Sequence, residues 1–503
     1  MKRALSLILS LTLILALFTG VNFASAADDF SQEVTVQIML HGSNVTDPAP
    51  VIEKINEYLK EKLNMKLDVI WGTWADFDQN SVLMLAGGDP CDIYFTCSWS
   101  ANEYASYARN GSFLRLDDPE NDLIAAYAPD LFKSIPAILG EGALVDGASG
   151  EGIYAIPGYK DFAQLYTWDI NTPLLTELGY TLEDIKSYAD FGPLLAAAKA
   201  LKGDSFYPLY VEQGVMQRFV LNLDIVDSSL LLGLQFDTEN PSQTEPIIKS
   251  VYEMPEYKAF VEKTYEYSQA GYINPVHAVA EASNSERSNA QLNGAYLIGT
   301  QVYAPGYEAQ ASAERGFEVS FVPLHTQYTS ITSLRGAMMA VSAYSKHPER
   351  AVAFLNLLNT DPYLMTLMAY GVEGVHYTIN ADGLLEFTDK HNDYMPWRNG
   401  IGNITLLPPQ AAEGADIWDK YAAQAEAQVL PTGTWSFDQT PVANEMAALA
   451  NVAAEYTGGL TAGTVDPAVV LPEFIEKLKA NGIDKVVEEA NRQLQEYLAN
   501  QAD

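Results

Sequence analysis

Cysteine is nearly missing from this chain: Cys91 and Cys97 are the only two in 503 residues. On one extended strand, Cys91-Asp-Ile-Tyr-Phe-Thr-Cys97, their Cα atoms stand roughly 20 Å apart at ~3.3 Å per residue, whereas a disulfide needs ~7 Å or less. That excludes a bond between them, and no His-Cys spacing supports zinc. Two small buried residues on one strand face is the better reading. Positive charge is also scarce, with 29 Lys and Arg against 65 Asp and Glu and a net charge of −36. Such a chain is repelled by nucleic acid and by anionic membranes. The acidic run 117–122 fails as a calcium loop, because Leu123 stands where glycine is needed and Pro129 where the last carboxylate should be. It reads as a turn and a helix start. Also missing are the Gly-x-Ser-x-Gly elbow, His-Glu-x-x-His and the phosphate loop Gly-x-x-x-x-Gly-Lys.

One apolar run is present, and it is short. Met1-Lys-Arg3, an apolar stretch over 4–18 and Ala24-Ser25-Ala26 describe a secretory leader cleaved after Ala26. The stretch falls below the ~20 residues a membrane span needs. Residues 1–29 hold no cysteine for lipidation. The expectation is a secreted, extracytoplasmic protein at the cell surface or in the periplasm. Removing 26 residues leaves 477, and losing Lys2 and Arg3 deepens the charge to −38. A single core stops growing near ~250–300 residues, so two lobes are expected.

Periodicity along the chain alternates. Strands are expected at 34–40, 67–70 and 91–97, with a helix over 50–63 carrying Val51, Ile55, Tyr58, Leu59 and Leu63 at helical spacing. Residues 150–157 read as a turn and a short strand leading out of the first lobe. Beyond it, a helix start at 181–184 leads to a helix over 190–201. A strand at 207–210, a helix over 255–270 and strands at 295–299 and 317–322 follow. A strand over 336–342 then precedes a helix over 351–358.

Several of these segments carry a resemblance. Gly336-Ala-Met-Met-Ala-Val-Ser342, Ser345-Lys-His-Pro-Glu349 and the apolar helix after them resemble extracellular solute-binding proteins of ABC importers, family 1, the sugar-binding type. Leu83-Met-Leu-Ala-Gly-Gly-Asp-Pro-Cys-Asp-Ile-Tyr94 and Tyr154-Ala-Ile-Pro157 resemble further segments of that family, Ala155 replacing its usual glycine. Tyr370-Gly-Val-Glu-Gly-Val-His-Tyr377, Trp435-Ser-Phe-Asp438, Gly463-Thr-Val-Asp466 and Leu478-Lys-Ala-Asn-Gly-Ile-Asp-Lys-Val486 resemble the C-terminal extension of a Gram-positive subgroup. The resemblance implies an α/β, two-lobed periplasmic-binding-protein-like fold of type II, with a hinge between lobes and a helical C-terminal extension. It implies lobe one over 27–157, lobe two over 158–332, a return to lobe one over 333–371, and lobe two with the extension over 372–503. It further implies a monomer that binds a small solute, most often an oligosaccharide, without cofactor or metal, and hands it to ABC permease subunits. Members of the subgroup are generally lipoproteins, so the missing lipid cysteine is a departure.

Candidate ligand contacts follow from strand ends, where loops line the crevice of an open α/β sheet. Sugar rings need flat aromatic faces and polar groups for hydroxyls, and the chain has 7 Trp and 29 Tyr. The candidates are Ser43, Asn44, Trp71, Trp74, Asp76, Ser98, Trp99, Lys160, Trp168, Arg335, Glu373 and Trp397. For Trp71, packing competes with a cleft role, and a hinge ion pair would explain Lys160, Arg335 or Glu373 equally well. Trp418, at helical spacing with Tyr421, is assigned to the core. His41 and His376 have no metal-spaced partners. Three function classes remain in order: a binding protein, with a peptide as the alternative ligand; a secreted glycoside-active enzyme; and an adhesin, which would show repeats or a wall anchor.

Overall fold

A computed structural model describes residues 30–42, 44–210, 216–227, 230, 232–278 and 289–501. The expected leader over 1–26 and the candidate Ser43 lie outside the described residues.

The first core is built on a five-stranded sheet. Val34–Leu40 pairs in parallel with Met65–Trp71 on one side and Ile93–Thr96 on the other. Met338–Val341 runs antiparallel to Ile93–Thr96, and Ala155–Pro157 closes the edge. The three parallel strands need crossover helices, and the sequence supplies them. Ala49–Leu63 buries Val51, Ile55, Leu59 and Leu63, carries Lys60 and Lys62 in its last turn where the helix dipole favours cations, and stops at Asn64 in the left-handed conformation. Phe77–Gly87 ends in the same way on Gly88. Both cysteines are buried free thiols, and burial pushes each up to about 12. They are therefore inert packing groups. The acidic run forms a two-residue hairpin, with Asp122 capping the helix Leu123–Tyr127 by accepting from the Ala125 N–H at 2.8 Å.

The second core centres on an antiparallel sheet, Ile298–Val302, Tyr166–Asn171 and Val319–Pro323. A second small sheet, Leu223–Asp227, Leu232–Gln235 and Lys249–Ser250, joins it, with the helix Pro255–Gln269 alongside. The strand expected at 207–210 shrinks to single bridges at Leu209, because Pro208 has no N–H to donate; its carbonyl accepts from Leu297 and Ile298 instead. The last three helices, Ala443–Thr461, Pro467–Ala480 and Ile483–Gln501, bury Leu449, Phe474 and Leu494 in this core.

The chain passes between the two cores three times: between Phe162 and Trp168, between Tyr328 and Leu334, and between Tyr421 and Leu430. The third passage corrects the expectation that 372–503 belongs wholly to the second lobe. Tyr377, Leu385, Tyr394, Ile401, Ile404, Leu407, Ile417 and Tyr421 all pack into the first core. Their segment is held there by backbone: Tyr394–Met395 pairs with Asn44–Val45, and the Tyr394 hydroxyl donates to the Met368 carbonyl at 3.1 Å. Among the described residues no helix is long and apolar enough to cross a membrane.

Candidate functional site

Because the first three strands are parallel, their C-terminal ends share one sheet edge. Each leads into a loop that presents a ring: His41 after Val34–Leu40, Trp74 after Met65–Trp71, and Trp99 after Ile93–Thr96. Trp397, from the segment pinned to Asn44–Val45, joins them. Trp74 and Trp99 stack with ring centroids 6.2 Å apart at 24°. Trp397 meets Trp74 at 5.2 Å, tilted, and Trp99 at 5.9 Å, edge-on. His41 lies beneath, 4.6 Å from Trp74 and 4.4 Å from Phe77. The close seat of Trp74 depends on Gly42, which has φ +69° and whose added Cβ would stand 2.6 Å from the indole. Although the cluster is packed below, Trp74 is 61% exposed and Trp99 41%. Large indoles left open on a shared edge mark a binding surface rather than a core.

Two cavities flank this platform, and both have walls from each lobe. A smaller one of about 180 Å³ is bounded by Ser98, Trp99 and Arg335 on one side and by Arg218, Asp227 and Gln439 on the other. A larger one of about 600 Å³ lies between Asn44, Trp74 and Trp397 and the helix Tyr307–Arg315, which brings Gln310 and Glu314. Hydrogen bonds fix the Trp99 loop to a crossing segment. Ser98 donates from its N–H to the Arg335 carbonyl at 2.9 Å and from Oγ to the Thr332 carbonyl at 2.7 Å. The Trp99 Nε1–H donates to the Gly336 carbonyl at 2.9 Å. The indole is thereby preorganised, which lowers the ordering cost of binding.

Of the candidates, the structure brings Asn44, Trp74, Ser98, Trp99, Arg335 and Trp397 to these cavities. The others stand elsewhere. Trp168, a cleft candidate by its place after the lobe crossing, is 2% exposed in the second core between Tyr188 and Phe191, because its strand is buried on both faces. Trp71 is half-buried edge-on against Tyr394, so packing wins there. Asp76 is spent on the turn before Phe77–Gly87, accepting from the Thr73 N–H at 2.7 Å. Lys160 pairs with Asp161 at 3.2 Å beside the first crossing. Glu373 is exposed on a tight turn bridged to Tyr377. Arg335 lines the smaller cavity, yet its Nε donates to the Gly142 carbonyl at 2.8 Å and its Nη2 to the Leu144 carbonyl at 2.7 Å, over the Tyr104 ring. Trp418 packs against the first core, its Nε1–H donating to the Leu407 carbonyl at 2.8 Å. The second-lobe wall, with Arg218, Asp227, Gln310, Glu314 and Gln439, carries no motif that sequence reasoning could find.

Burial holds the His41 ring down to about 4, against the pull of Asp78 and Asp76. Its folded value lies below the unfolded 6.5, so the unfolded chain takes up this proton first and stability is lost as pH falls from 6.5 toward 4. His41→Phe removes that term and keeps a ring under the platform. The urea midpoint of this variant should gain steadily on wild type between pH 7 and pH 4.5; parallel midpoints across that range would contradict the neutral, buried ring.

Two cores joined by three crossings, over a cleft floored by open indoles, define a two-lobed ligand-capturing protein of the type II binding class. Among the described residues no group of His, Cys, Asp and Glu is placed to hold a metal. Residues 24–377 match the family described as bacterial extracellular solute-binding protein, and 431–499 match one described as Domain of unknown function (DUF3502). The chain belongs to the bacterial extracellular solute-binding protein family, which places it outside the cytoplasm. A carbohydrate ABC transporter substrate-binding protein of Streptococcus pneumoniae is 25% identical over 484 residues, covering 95% of this chain and 94% of its own. The crystal structure of an N-glycan transport solute binding protein from the same organism shares the fold with a TM-score of 0.78 at 23% identity, over 93% of this chain and 99% of that one. An HMO-binding, ABC-transporter-associated solute binding protein from Bifidobacterium longum infantis matches at 0.62 and 13%, over 93% and 99%. These relatives are named as binding and transport proteins, not enzymes.

Proposed function

We propose that this protein captures an oligosaccharide between its lobes and delivers it to the membrane subunits of an ABC importer. The observation that carries this is the open Trp74–Trp99 platform, with Trp397 beside it, facing a polar wall on the other lobe. A pyranose has an apolar C–H face and an equatorial rim of hydroxyls; indoles accept the first, and Asn44, Ser98, Gln310 and Glu314 suit the second. The larger cavity, about 600 Å³, has room for more than one ring. The relatives' names support the same ligand class: one is a carbohydrate transporter's binding protein, and the N-glycan transport binding protein of Streptococcus pneumoniae has also been crystallised in complex with Man5GlcNAc.

Ligand touching both walls shifts the lobes toward closure by its differential affinity for the closed state, and the crossings act as hinges. The leader is cleaved after Ala26, and the mature chain works as a monomer without cofactor or covalent chemistry. Thermal unfolding of the mature protein with neutral oligosaccharides, monosaccharides and short peptides tests the reading. A ligand at 100 times its Kd adds about 2.7 kcal/mol of stability. The expected result is stabilisation by an oligosaccharide that is recovered intact. Cleavage of the sugar would establish the enzyme instead, and stabilisation by peptides alone would overturn the sugar assignment.

A further inference from the structure

Around the smaller cavity the charged groups differ in how fully they are hydrogen-bonded. Two carboxylates line it, and both are occupied. Glu103 accepts from the Ala105 N–H at 3.1 Å and the Ser106 N–H at 2.8 Å as a helix cap. Asp227 accepts from the Leu230 N–H at 2.9 Å and from Gln439 Nε2 at 2.8 Å. The arginines differ. Arg335 spends its guanidinium on two backbone carbonyls, with Glu103 as the nearby carboxylate that acts on its charge. Arg109 likewise donates to the Phe437 carbonyl at 3.3 Å and Ser436 Oγ at 3.5 Å, on the cavity's far wall. Arg218 lines the cavity with a buried Nε that has no hydrogen-bond partner among the described residues.

Behind Arg218, Asp224 is 1% exposed with an unpartnered Oδ2, so the two side chains sit near one another without a closed ion pair. Burial pushes the Asp224 carboxyl up to about 7, with Ser330 and Arg218 acting the other way. The Arg218 Nε–H is shut off from the cavity, so a ligand would meet the Nη edge of the guanidinium, and a planar carboxylate is the group whose two oxygens match that fork.

We propose that this end of the cleft receives a carboxylate on the bound sugar, making the protein a receptor for acidic glycans, with Arg218 as the residue that selects them. The inference rests on the oligosaccharide reading above and narrows it. The Trp99 face would hold the neighbouring ring, since Trp99 borders the same cavity. No motif signals Arg218, which lies on the short helix Met216–Leu221 just before a strand of the second lobe.

The test is a glycan array probed with the labelled mature protein, on which sialylated and uronate-bearing glycans stand beside their neutral counterparts and sulfated ones. Wild type is expected to favour carboxylate-bearing glycans at least tenfold over the neutral partners. Arg218→Gln should erase that preference, with its far-UV circular dichroism spectrum reporting that the variant is folded. If Arg218→Gln does not fold, Arg218→Lys carries the test: its ammonium cannot span both oxygens, so the preference should fall severalfold. Neutral partners bound as strongly as acidic ones, a preference that survives in both variants, or a preference for sulfated glycans alone would overturn the proposal while leaving the sugar reading intact. Binding to no glycan at all would overturn both.

Discussion

Glu413→Ala is expected to lower the free energy of unfolding by about 3–5 kcal/mol, the usual cost of stripping one partner from a buried ion pair. Glu413 is 5% exposed, and its carboxylate holds the Arg398 guanidinium, which also donates to the Tyr370 hydroxyl at 2.5 Å. Without Glu413 the arginine stays buried with its charge unmatched, because Arg398 is walled in by the segment that passes back over the first core. The consequence reaches the site, since Arg398 follows Trp397 directly and Gly400 packs against that indole, an added Cβ lying 2.6 Å from it. Loosening this turn should therefore weaken sugar binding as well as folding. Urea unfolding followed by circular dichroism measures the first effect. A loss under about 1 kcal/mol, the range of an exposed pair, would contradict the buried-pair account.

Trp74→Ala and Trp99→Ala should each weaken oligosaccharide binding by about 2 kcal/mol, or roughly 30-fold in Kd, as expected for central aromatic anchors. Their stability effects should differ. Trp74 is 61% exposed and its indole rests on Gly42, so its removal should leave the unfolding midpoint within experimental scatter. Trp99 also donates to the Gly336 carbonyl, a hydrogen bond worth about 1 kcal/mol. Trp168→Ala is the contrasting control: it empties a core site, so about 3–5 kcal/mol of stability is lost while affinity stays near wild type. Calorimetric titration of the three variants separates the platform from the core. Equal affinity in Trp74→Ala, Trp99→Ala and wild type would remove the platform from the site.

Much of the first lobe could be read from the chain because its signals are local. The run Val34–Leu40 and the helix Ala49–Leu63 show their periodicities directly, and parallel pairing then places Trp74 and Trp99 on one edge without further information. Trp168 misled for a physical reason: in a six-residue strand buried on both faces, a tryptophan after a lobe crossing looks the same in sequence whether it faces solvent or core. The return of 372–421 to the first lobe was hidden too. It depends on Tyr394 finding Met368 and on Tyr394–Met395 pairing with Asn44–Val45, a contact across some 350 positions with no local signature. The second-lobe wall was equally illegible, since Arg218, Gln310 and Gln439 become neighbours of the platform only through tertiary packing.

The account rests on a sugar held between the lobes by the tryptophan platform. A crystal structure of the mature protein grown with an oligosaccharide that stabilises it tests this most directly. The expected result is a sugar ring stacked on Trp74 or Trp99, with its hydroxyls bonded by residues of both lobes. A sugar bound to one lobe alone, or away from all three indoles of the cleft, would contradict it.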